Sequence, residues 1–302
     1  MLAAFELPWD GLGTGDTAAV FPAASSTAAG WTGAALFVDQ GDGQLQPAGN
    51  FPRIRCTFGH CITVLGGGSP LLFDRINTVT VALLSSDMAL VDATSKQLAA
   101  GTNRALVGNE LLQFARAVPL GDLHWRLEGL LRGRGGTEQA IEGHATGEPF
   151  VLLDGQFTSL DAVLVGDNSD AAVVAIGLGD DDPAASPILC RGLTRRPLSP
   201  VHPRSKFNAD GSLTLGWTRR ARGAWAWLNG VETPLHEQAE SYDVTVGSPA
   251  APVARWVTAV PSLTIDAAQL AVLSSAAAGA VVMVRQRGSY AVSTPLLLDH
   301  LP

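Results

Sequence analysis

The sequence predicts an all-β protein, and three observations support that fold class. The 33 glycines and 18 prolines are spread along the 302 residues as turn signals. Between them lie short runs rich in Val, Leu, Thr, Phe and Trp, which is the pattern of strands separated by turns. Helical periodicity is nearly absent, and only residues 266–273, "DAAQLAVL", could form two helical turns.

The strand pattern changes near residue 196, which predicts two domains. Residues 1–196 are expected to form a β-sandwich or barrel-like domain, with residues 1–30 as a candidate extended arm. The acidic loop "GDDDPAASP" and the proline-containing "TRRPLSPVHPRS" then predict an extended connection. Residues 197–302 carry roughly seven strands, a core anchor at Trp217 and no cysteine pair, so they resemble a fibronectin type III sandwich.

The charge balance disfavours two classes of partner. The formal net charge is −8, whereas nucleic acids and anionic membrane surfaces both attract basic proteins. Residues 267–284 carry no charge, but their alanines contribute little to insertion and Gly279 invites a break. We therefore expect a short helical or loop segment followed by the strand "AVVMVRQR", and no membrane span.

Cysteine usage predicts neither a disulfide framework nor a metal centre. Three cysteines, Cys56, Cys61 and Cys190, are an odd number in a long chain. "CTFGHC" places His60 beside Cys61, so a metal site is an alternative, but zinc-finger spacing is absent and buried thiols are favoured. The acidic run 180–182 could bind calcium, although a solvated loop is favoured. We expect no metal and no cofactor.

Residues 109–138 predict a half-buried β-hairpin. The strands "ELLQFARAV" and "HWRLEGLL" are joined at "PLGD", whose composition suits a tight turn. Alternation divides the second strand into two faces, one with Trp125, Leu127, Gly129 and Leu131, the other with Arg126, Glu128, Leu130 and Arg132. The following "LLRGRGGTEQA" could cradle phosphate, but it fits no P-loop fingerprint and is predicted to be a turn with solvated arginines.

The same residues carry a two-part motif, "E-x-x-Q-F" and then "W-R-L-x-x-L-L-R-G-x-x-G-T-E". Its positions are Glu110, Gln113, Phe114, Trp125, Arg126, Leu127, Leu130, Leu131, Arg132, Gly133, Gly136, Thr137 and Glu138. The motif resembles the signature hairpin in the C-terminal part of the large baseplate or tail-tip (host specificity) protein of gene transfer agents and related siphophages. The segments "LAAFELPW", "LSPVHPRSKFNADGSLTLGWTRRAR" and "PLHEQAESYDVTV" are similar to the same region.

The resemblance implies a virion structural protein in a phage-like tail tip, distal and host-facing, that contributes to recognition of the host surface. It implies other tail and baseplate proteins as partners, a host cell-surface glycan or protein as receptor, and a homotrimer in the particle. The start of the chain lacks a signal-peptide pattern, so we expect synthesis in the bacterial cytoplasm. Full-length members carry TIM-barrel-like and hub domains upstream, so we expect an excised C-terminal fragment or a shortened relative.

A glycan-processing (depolymerising) tail enzyme is the alternative function. The six histidines are dispersed, and no G-x-S-x-G or H-E-x-x-H motif is present. The fold could still bring two carboxylates together near the hairpin, with Glu110, Glu128 and Glu138 as candidates. Fixed-period repeats, which are usual in long depolymerising tail proteins, are absent. We expect a protein that is not an enzyme.

The segment "RGAWAWLNG", residues 222–230, is the candidate receptor site. In a strand, Trp225 and Trp227 would face the same side, and two indoles beside Asn229 would suit stacking on a sugar. The alternative is that the indoles pack under the edge of the sandwich or against the first domain. The predicted carbohydrate- or receptor-binding residues are therefore Trp225, Trp227 and Asn229.

Overall fold

A computed structural model describes residues 1–27, 30–153, 157–166, 170–223, 225–227 and 230–302. The chain divides into two compact units. The first contains Met1–Trp9, Thr17–Thr194 and the described part of Ala224–Asn229, and the second contains Asp10–Asp16, Arg195–Gly223 and Gly230–Pro302. The sequence-based prediction divides the chain once, at residue 196. In the structure, the second unit also contains Asp10–Asp16, and the first also contains the described part of Ala224–Asn229.

Most of the regular secondary structure described in the first unit consists of β-strands. These are β1 (Leu2–Glu6), β2 (Val20–Ala24), β3 (Ala34–Asp39), β4 (Leu45–Phe51), β5 (Phe58–Cys61), β6 (Phe73–Asp74), β7 (Val79–Leu83), β8 (Arg104–Val107), β9 (Glu110–Gly121), β10 (His124–Leu131), β11 (Pro149–Leu152), β12 (Ala172–Gly177) and β13 (Ala184–Pro187). The helices are α1 (Ser95–Ala99) and α2 (Ala162–Val165), with 3-10 turns at Arg134–Gly136 and Glu138–Ala140.

Six strands close into an antiparallel barrel in the order β10, β7, β5, β11, β8 and β9, because β9 also pairs with β10. Inward-facing residues from all six strands form its core, in which Val81, Phe114, Leu127 and Phe150 are completely buried. Closure lets each of these strands pair on both sides, which removes the exposed edges that favour aggregation. The predicted all-β, barrel-like first domain is thus confirmed as a fold class.

Outside the barrel, β1 and β2 form a two-stranded ribbon with a buried side chain on each face. Ala3 and Phe5 pack against outward-facing residues of the barrel. Leu2 and Ala4 pack towards a four-stranded sheet of order β13, β12, β3 and β4. The candidate arm, residues 1–30, therefore contains a packed ribbon.

The β9–β10 hairpin differs from the prediction in its turn and in its pleat. The turn consists of Asp122 and Leu123, both at positive φ (48° and 65°), whereas the first three residues of "PLGD" belong to β9. Leu127 and Leu130 are both completely buried, so the predicted separation of their faces is wrong. The alternation shifts at Gly129, whose φ is 65° and where a Cβ would lie 3.1 Å from the Cβ of Ala115.

The second unit is a fibronectin type III-like sandwich. Its elements are β14 (Val201–Phe207), β15 (Leu213–Thr218), β16 (Tyr242–Ser248), β17 (Ala251–Thr258), β18 (Ser262–Ile265), α3 (Ala267–Ala277), β19 (Val281–Gln286) and β20 (Leu296–His300). One sheet has the order β14, β15, β18, and the other has the order β17, β16, β19, β20. The rings of Trp217 and Tyr242 meet edge to face in the core, with centroids 5.2 Å apart.

The uncharged stretch 267–284 forms α3 and the first part of β19, as predicted. Asp266 caps α3 because its carboxylate accepts a hydrogen bond from the Gln269 N–H at 2.8 Å. Within the described residues, no helix combines the length and the apolar character that a bilayer crossing requires.

Candidate functional site

Trp225 is half-buried in a slot of the first unit. It packs against the cluster that contains β1 and the outward face of the barrel. The guanidinium carbon of Arg104 lies 4.9 Å from the centroid of its ring. A Cβ at Gly101 would lie 3.0 Å from the Trp225 Cβ, and one at Gly135 would overlap Pro8 and approach the Trp225 Cη2 to 3.1 Å. The slot therefore requires glycine at both positions.

Trp227 lies at the surface of the same unit, with 54% of its side chain exposed. Its main-chain N–H donates to the carbonyl of Ala99, the last residue of α1, at 2.8 Å. The guanidinium carbon of Arg134 lies 5.3 Å from the centroid of its ring. The main chain and the ring of Trp227 are thus both held against the first unit.

The predicted strand does not form at Trp225 and Trp227. Residues 225 and 226 lie in a bend and residue 227 has no regular secondary structure, so the alternation of a strand does not govern their side chains. Trp225 packs against the first domain, which was the alternative, whereas Trp227 is exposed. Asn229 lies outside the described residues. We refer to Trp227 and Arg134 together as the indole–arginine patch.

Arg132, in the glycine-rich segment after the hairpin, is buried in an ion pair. Its Nε donates to Glu110 Oε1 and its Nη2 to Glu110 Oε2, both at 2.9 Å. Its Nη1 donates to the Gly66 carbonyl at 2.8 Å and approaches Asp74 Oδ2 at 3.3 Å. The prediction of solvated arginines is therefore wrong for Arg132, because sequence alone does not show partners that are 22 and 58 residues away.

His144 connects the same ion pair to a second carboxylate. Its Nε2 lies 2.9 Å from Glu110 Oε2, and its Nδ1 lies 2.7 Å from Glu148 Oε2. The hydrogen bond to Glu110 is the main cause that raises the pKa of His144 above its usual value, and burial opposes it. Glu110, Arg132, His144 and Glu148 form what we call the buried ionic network.

The buried ionic network also holds the main chain that follows β10. The Gly133 N–H donates to Glu110 Oε1 at 2.7 Å. The hydroxyl of Thr137 accepts from the Leu111 N–H at 3.0 Å and donates to the Arg134 carbonyl at 2.8 Å. These contacts give the motif residues a physical role, since they fix the turn from which Arg134 projects.

Gln113, another motif residue, joins β9 to the segment around α1. Its completely buried amide donates to the carbonyls of Leu98 and Thr102 at 2.9 and 2.8 Å. Because Trp227 bonds to Ala99 in the same segment, Gln113 and Arg132 support the indole–arginine patch from two sides.

The three candidate carboxylates near the hairpin lie in different surroundings. Glu110 accepts hydrogen bonds on both oxygens and is completely buried. Glu128 pairs with Arg126 at 2.7 Å and with Arg116 at 3.3 Å. Glu138 begins the second 3-10 turn and is half-buried. The arrangement of Glu110 is suited to holding the main chain and the guanidinium in place.

The cysteines are free thiols. Cys61 is buried in β5, as predicted, and burial raises the pKa of its thiol to about 12. Cys56 is half-buried in the preceding loop, and Cys190 is exposed. In the described parts of the chain, no three His, Cys, Asp or Glu side chains gather as they would around a metal ion.

The barrel is the part of the chain that matches a known protein family. Residues 56–151 match the family model described as Rcc01698-like, C-terminal. The matched segment, 96 of the 302 residues, begins before β5 and ends within β11, so it reaches all six barrel strands. It contains the buried ionic network and Arg134, but not Trp227. A comparison with curated proteins found no match to the chain.

Proposed function

We propose that the chain is a structural component of the tail tip or baseplate of a phage or gene transfer agent, with a distal, host-facing position. The motif in residues 109–138, which resembles the signature hairpin of that family, supports the proposal. These residues lie within the segment 56–151 that matches the family model. The partners would be other tail and baseplate proteins, with three copies in the particle assembled after synthesis in the bacterial cytoplasm.

The observation that carries a host-surface role is the exposed indole of Trp227. Tryptophan is enriched among the residues that contribute most to binding, and this indole is 54% exposed and therefore accessible to a partner. Its main chain is held by α1 and its ring lies beside Arg134. A flat indole fixed in this way is suited to stack on the apolar face of a sugar ring, so a host-surface glycan is the proposed ligand.

Binding of a panel of immobilised bacterial glycans tests the host-surface role. The wild-type chain should bind, and Trp227→Ala should lose most of the signal. Phe207→Ala is the matched control, because Phe207 is 55% exposed but belongs to the second unit. An assay for new reducing ends on the bound glycan tests the depolymerising alternative. Release of new ends by the wild-type chain would favour the enzyme.

Location in a particle is tested by labelling. Antibodies against the chain, coupled to gold, should mark the distal end of the tail when particles from the source bacterium are viewed by electron microscopy. Label on the capsid, or particles that lack the chain altogether, would contradict the tail-tip assignment.

A further inference from the structure

Residues 69–77, "SPLLFDRIN", form a loop of the first unit that carries four exposed large apolar side chains: Leu71, Leu72, Phe73 and Ile76. Ile76 is 90% exposed and Leu72 is 68% exposed. Single exposed apolar residues are ordinary on a protein surface, but four on one short loop concentrate apolar area at one place. We refer to residues 69–77 as the apolar loop.

The apolar loop is fixed to the barrel at its centre. Phe73 and Asp74 form β6 and pair with Leu131 and Leu130 of β10. A Cβ at Gly129 would lie 3.0 Å from Phe73 Cζ, so the phenyl ring packs closely against that glycine. The loop therefore presents its side chains from a fixed main chain, which reduces the conformational freedom that binding would remove.

Main-chain donors beside the exposed side chains find acceptors within the apolar loop itself. The Leu71 N–H donates to Ser69 Oγ at 3.2 Å. The Ile76 and Asn77 N–H groups donate to Asp74 Oδ1 at 3.1 and 3.0 Å. A donor without an acceptor opposes transfer of a loop out of water, because an unpaired polar group is costly in apolar surroundings. The internal bonds lower this cost for Leu71 and Ile76.

The apolar loop exposes one charged side chain. Arg75 is exposed, and its guanidinium carbon lies 5.6 Å from the centroid of the Phe73 ring. The carboxylate of Asp74 is buried, and its Oδ2 accepts from Asn77 Nδ2 at 2.8 Å and lies 3.3 Å from Arg132 Nη1. The loop surface is therefore apolar with one long cationic side chain, and such a side chain can lie on apolar surroundings while its charged end stays among polar groups.

The small size of the apolar loop favours a lipid surface over a protein partner. A stable protein interface takes roughly 20–30 residues on each side, whereas the loop offers four large apolar side chains. A bilayer needs no complementary shape, because apolar side chains enter the boundary between headgroups and acyl chains in proportion to their apolar area. The net charge of −8 disfavours attraction to anionic lipids, so a lipid contact of this loop depends on its apolar side chains.

We propose that the apolar loop binds the surface of a phospholipid bilayer, with its four exposed apolar side chains at the boundary between headgroups and acyl chains and Arg75 among the headgroups. The contact is peripheral. It goes beyond the proposed glycan binding at Trp227, and it is tested without any glycan.

Flotation of the full chain with phosphatidylcholine vesicles tests the inference. The wild-type chain should float with the vesicles, and high salt should not release it, because salt screens charges and not apolar contacts. Added phosphatidylglycerol should not strengthen binding, since the chain is acidic. The double substitution Leu72→Ser and Ile76→Ser should lower the partition coefficient by at least about tenfold, because it removes two large apolar side chains from the contact.

The matched control is the double substitution Val163→Ser and Leu178→Ser, because both side chains are large, apolar and exposed in the first unit but lie outside the loop. The control should float like the wild-type chain, and thermal unfolding should show that both double variants are folded. In a second readout, Ile76→Trp should gain quenching of its fluorescence by lipids that are brominated on the acyl chain.

Three results would overturn the inference: no flotation of the wild-type chain, equal losses in the two double variants, or binding that requires phosphatidylglycerol and disappears in high salt. Absence of acyl-chain quenching in a folded Ile76→Trp chain would also overturn it. None of these results bears on the glycan test at Trp227 or on gold labelling of particles, so the proposed function stands or fails separately.

Discussion

Arg132 and Glu110 form a paired ion contact in which neither side chain has exposed surface, with Nε–Oε1 and Nη2–Oε2 distances of 2.9 Å. Arg132 directly follows β10 and Glu110 begins β9, so the contact closes the base of the hairpin. Both residues belong to the motif that the sequence displays most clearly. Their geometry indicates that this part of the motif fixes the fold from which the indole–arginine patch projects.

Removal of the buried guanidinium should destabilise the first unit strongly. Arg132→Met leaves the carboxylate of Glu110 buried without its main partner, so we expect a loss of about 3–5 kcal/mol in the free energy of unfolding. Calorimetric unfolding measures the change. Arg126→Met, at a side chain that is 42% exposed, is the charge-matched control and should cost at most about 1 kcal/mol. Similar losses for the two variants would contradict the structural role of the ion pair.

The stabilisation by His144 should depend on pH. Its folded pKa is raised above the unfolded value, so its ionic contribution is complete below about pH 6.5 and is lost as pH rises through the folded pKa. The facing groups are Glu110 and Glu148, with Arg132 behind Glu110 and the thiol of Cys61 near Glu148. The loss of unfolding free energy in His144→Gln should therefore be larger at about pH 5.5 than at about pH 9.

Denaturant unfolding of the wild-type chain and His144→Gln at both pH values gives this comparison directly. His300→Gln is the control for an imidazole outside the network, and its effect should be small at both pH values. A His144→Gln effect that is equal at both pH values, or larger at the alkaline one, would show that the imidazole is not held in its charged form.

The slot around Trp225 should be sensitive to a single added methyl group. Gly135→Ala would place a Cβ against Pro8 and 3.1 Å from Trp225 Cη2, in addition to the strain of φ 64°. We expect the free energy of unfolding to fall by about 2–4 kcal/mol and the tryptophan fluorescence spectrum to shift. Gly143→Ala isolates the backbone strain, because Gly143 has φ 84° and nothing within 4 Å of its Cβ position. Gly143→Ala should lower the free energy of unfolding by only about 1 kcal/mol. Equal losses in Gly135→Ala and Gly143→Ala would contradict the tight packing of the slot.

The sandwich of the second unit should depend on Trp217. The indole is 1% exposed and packs on Tyr242, so Trp217→Ala should lower the free energy of unfolding by about 3–5 kcal/mol. Calorimetry of Phe207→Ala provides the comparison, since Phe207 is 55% exposed and its truncation should change stability by at most about 0.5 kcal/mol. Comparable losses in both variants would contradict the core position of Trp217.

Local patterns in the sequence were sufficient for features that local geometry determines. The sequence predicted Trp217 as a core anchor, and the structure buries it in β15 together with Leu213 and Leu215. The two-turn helical segment at 266–273 lies within α3 and its capping residue. Alternation failed at Gly129, because a positive φ there shifts the pleat and no residue pattern specifies which glycine adopts it.

Long-range contacts explain what the sequence did not reveal about the site. Trp225 and Trp227 have similar local sequence surroundings, yet one enters a slot formed by Gly101 and Gly135 and the other remains exposed. The burial of Arg132 depends on Glu110 and on Asp74 of β6, which are distant in the sequence and become its neighbours only in the folded chain. The motif contains both Glu110 and Arg132, but it does not show that their side chains form an ion pair.

Saccharide binding by wild-type chain and Trp227→Ala is the most direct test of the assignment of the host-facing surface. Trp227 is exposed, so its replacement should leave the melting temperature nearly unchanged while the affinity for the bound saccharide falls by at least about tenfold. Unchanged affinity in a folded Trp227→Ala chain would contradict the assignment and would place any receptor contact elsewhere on the protein.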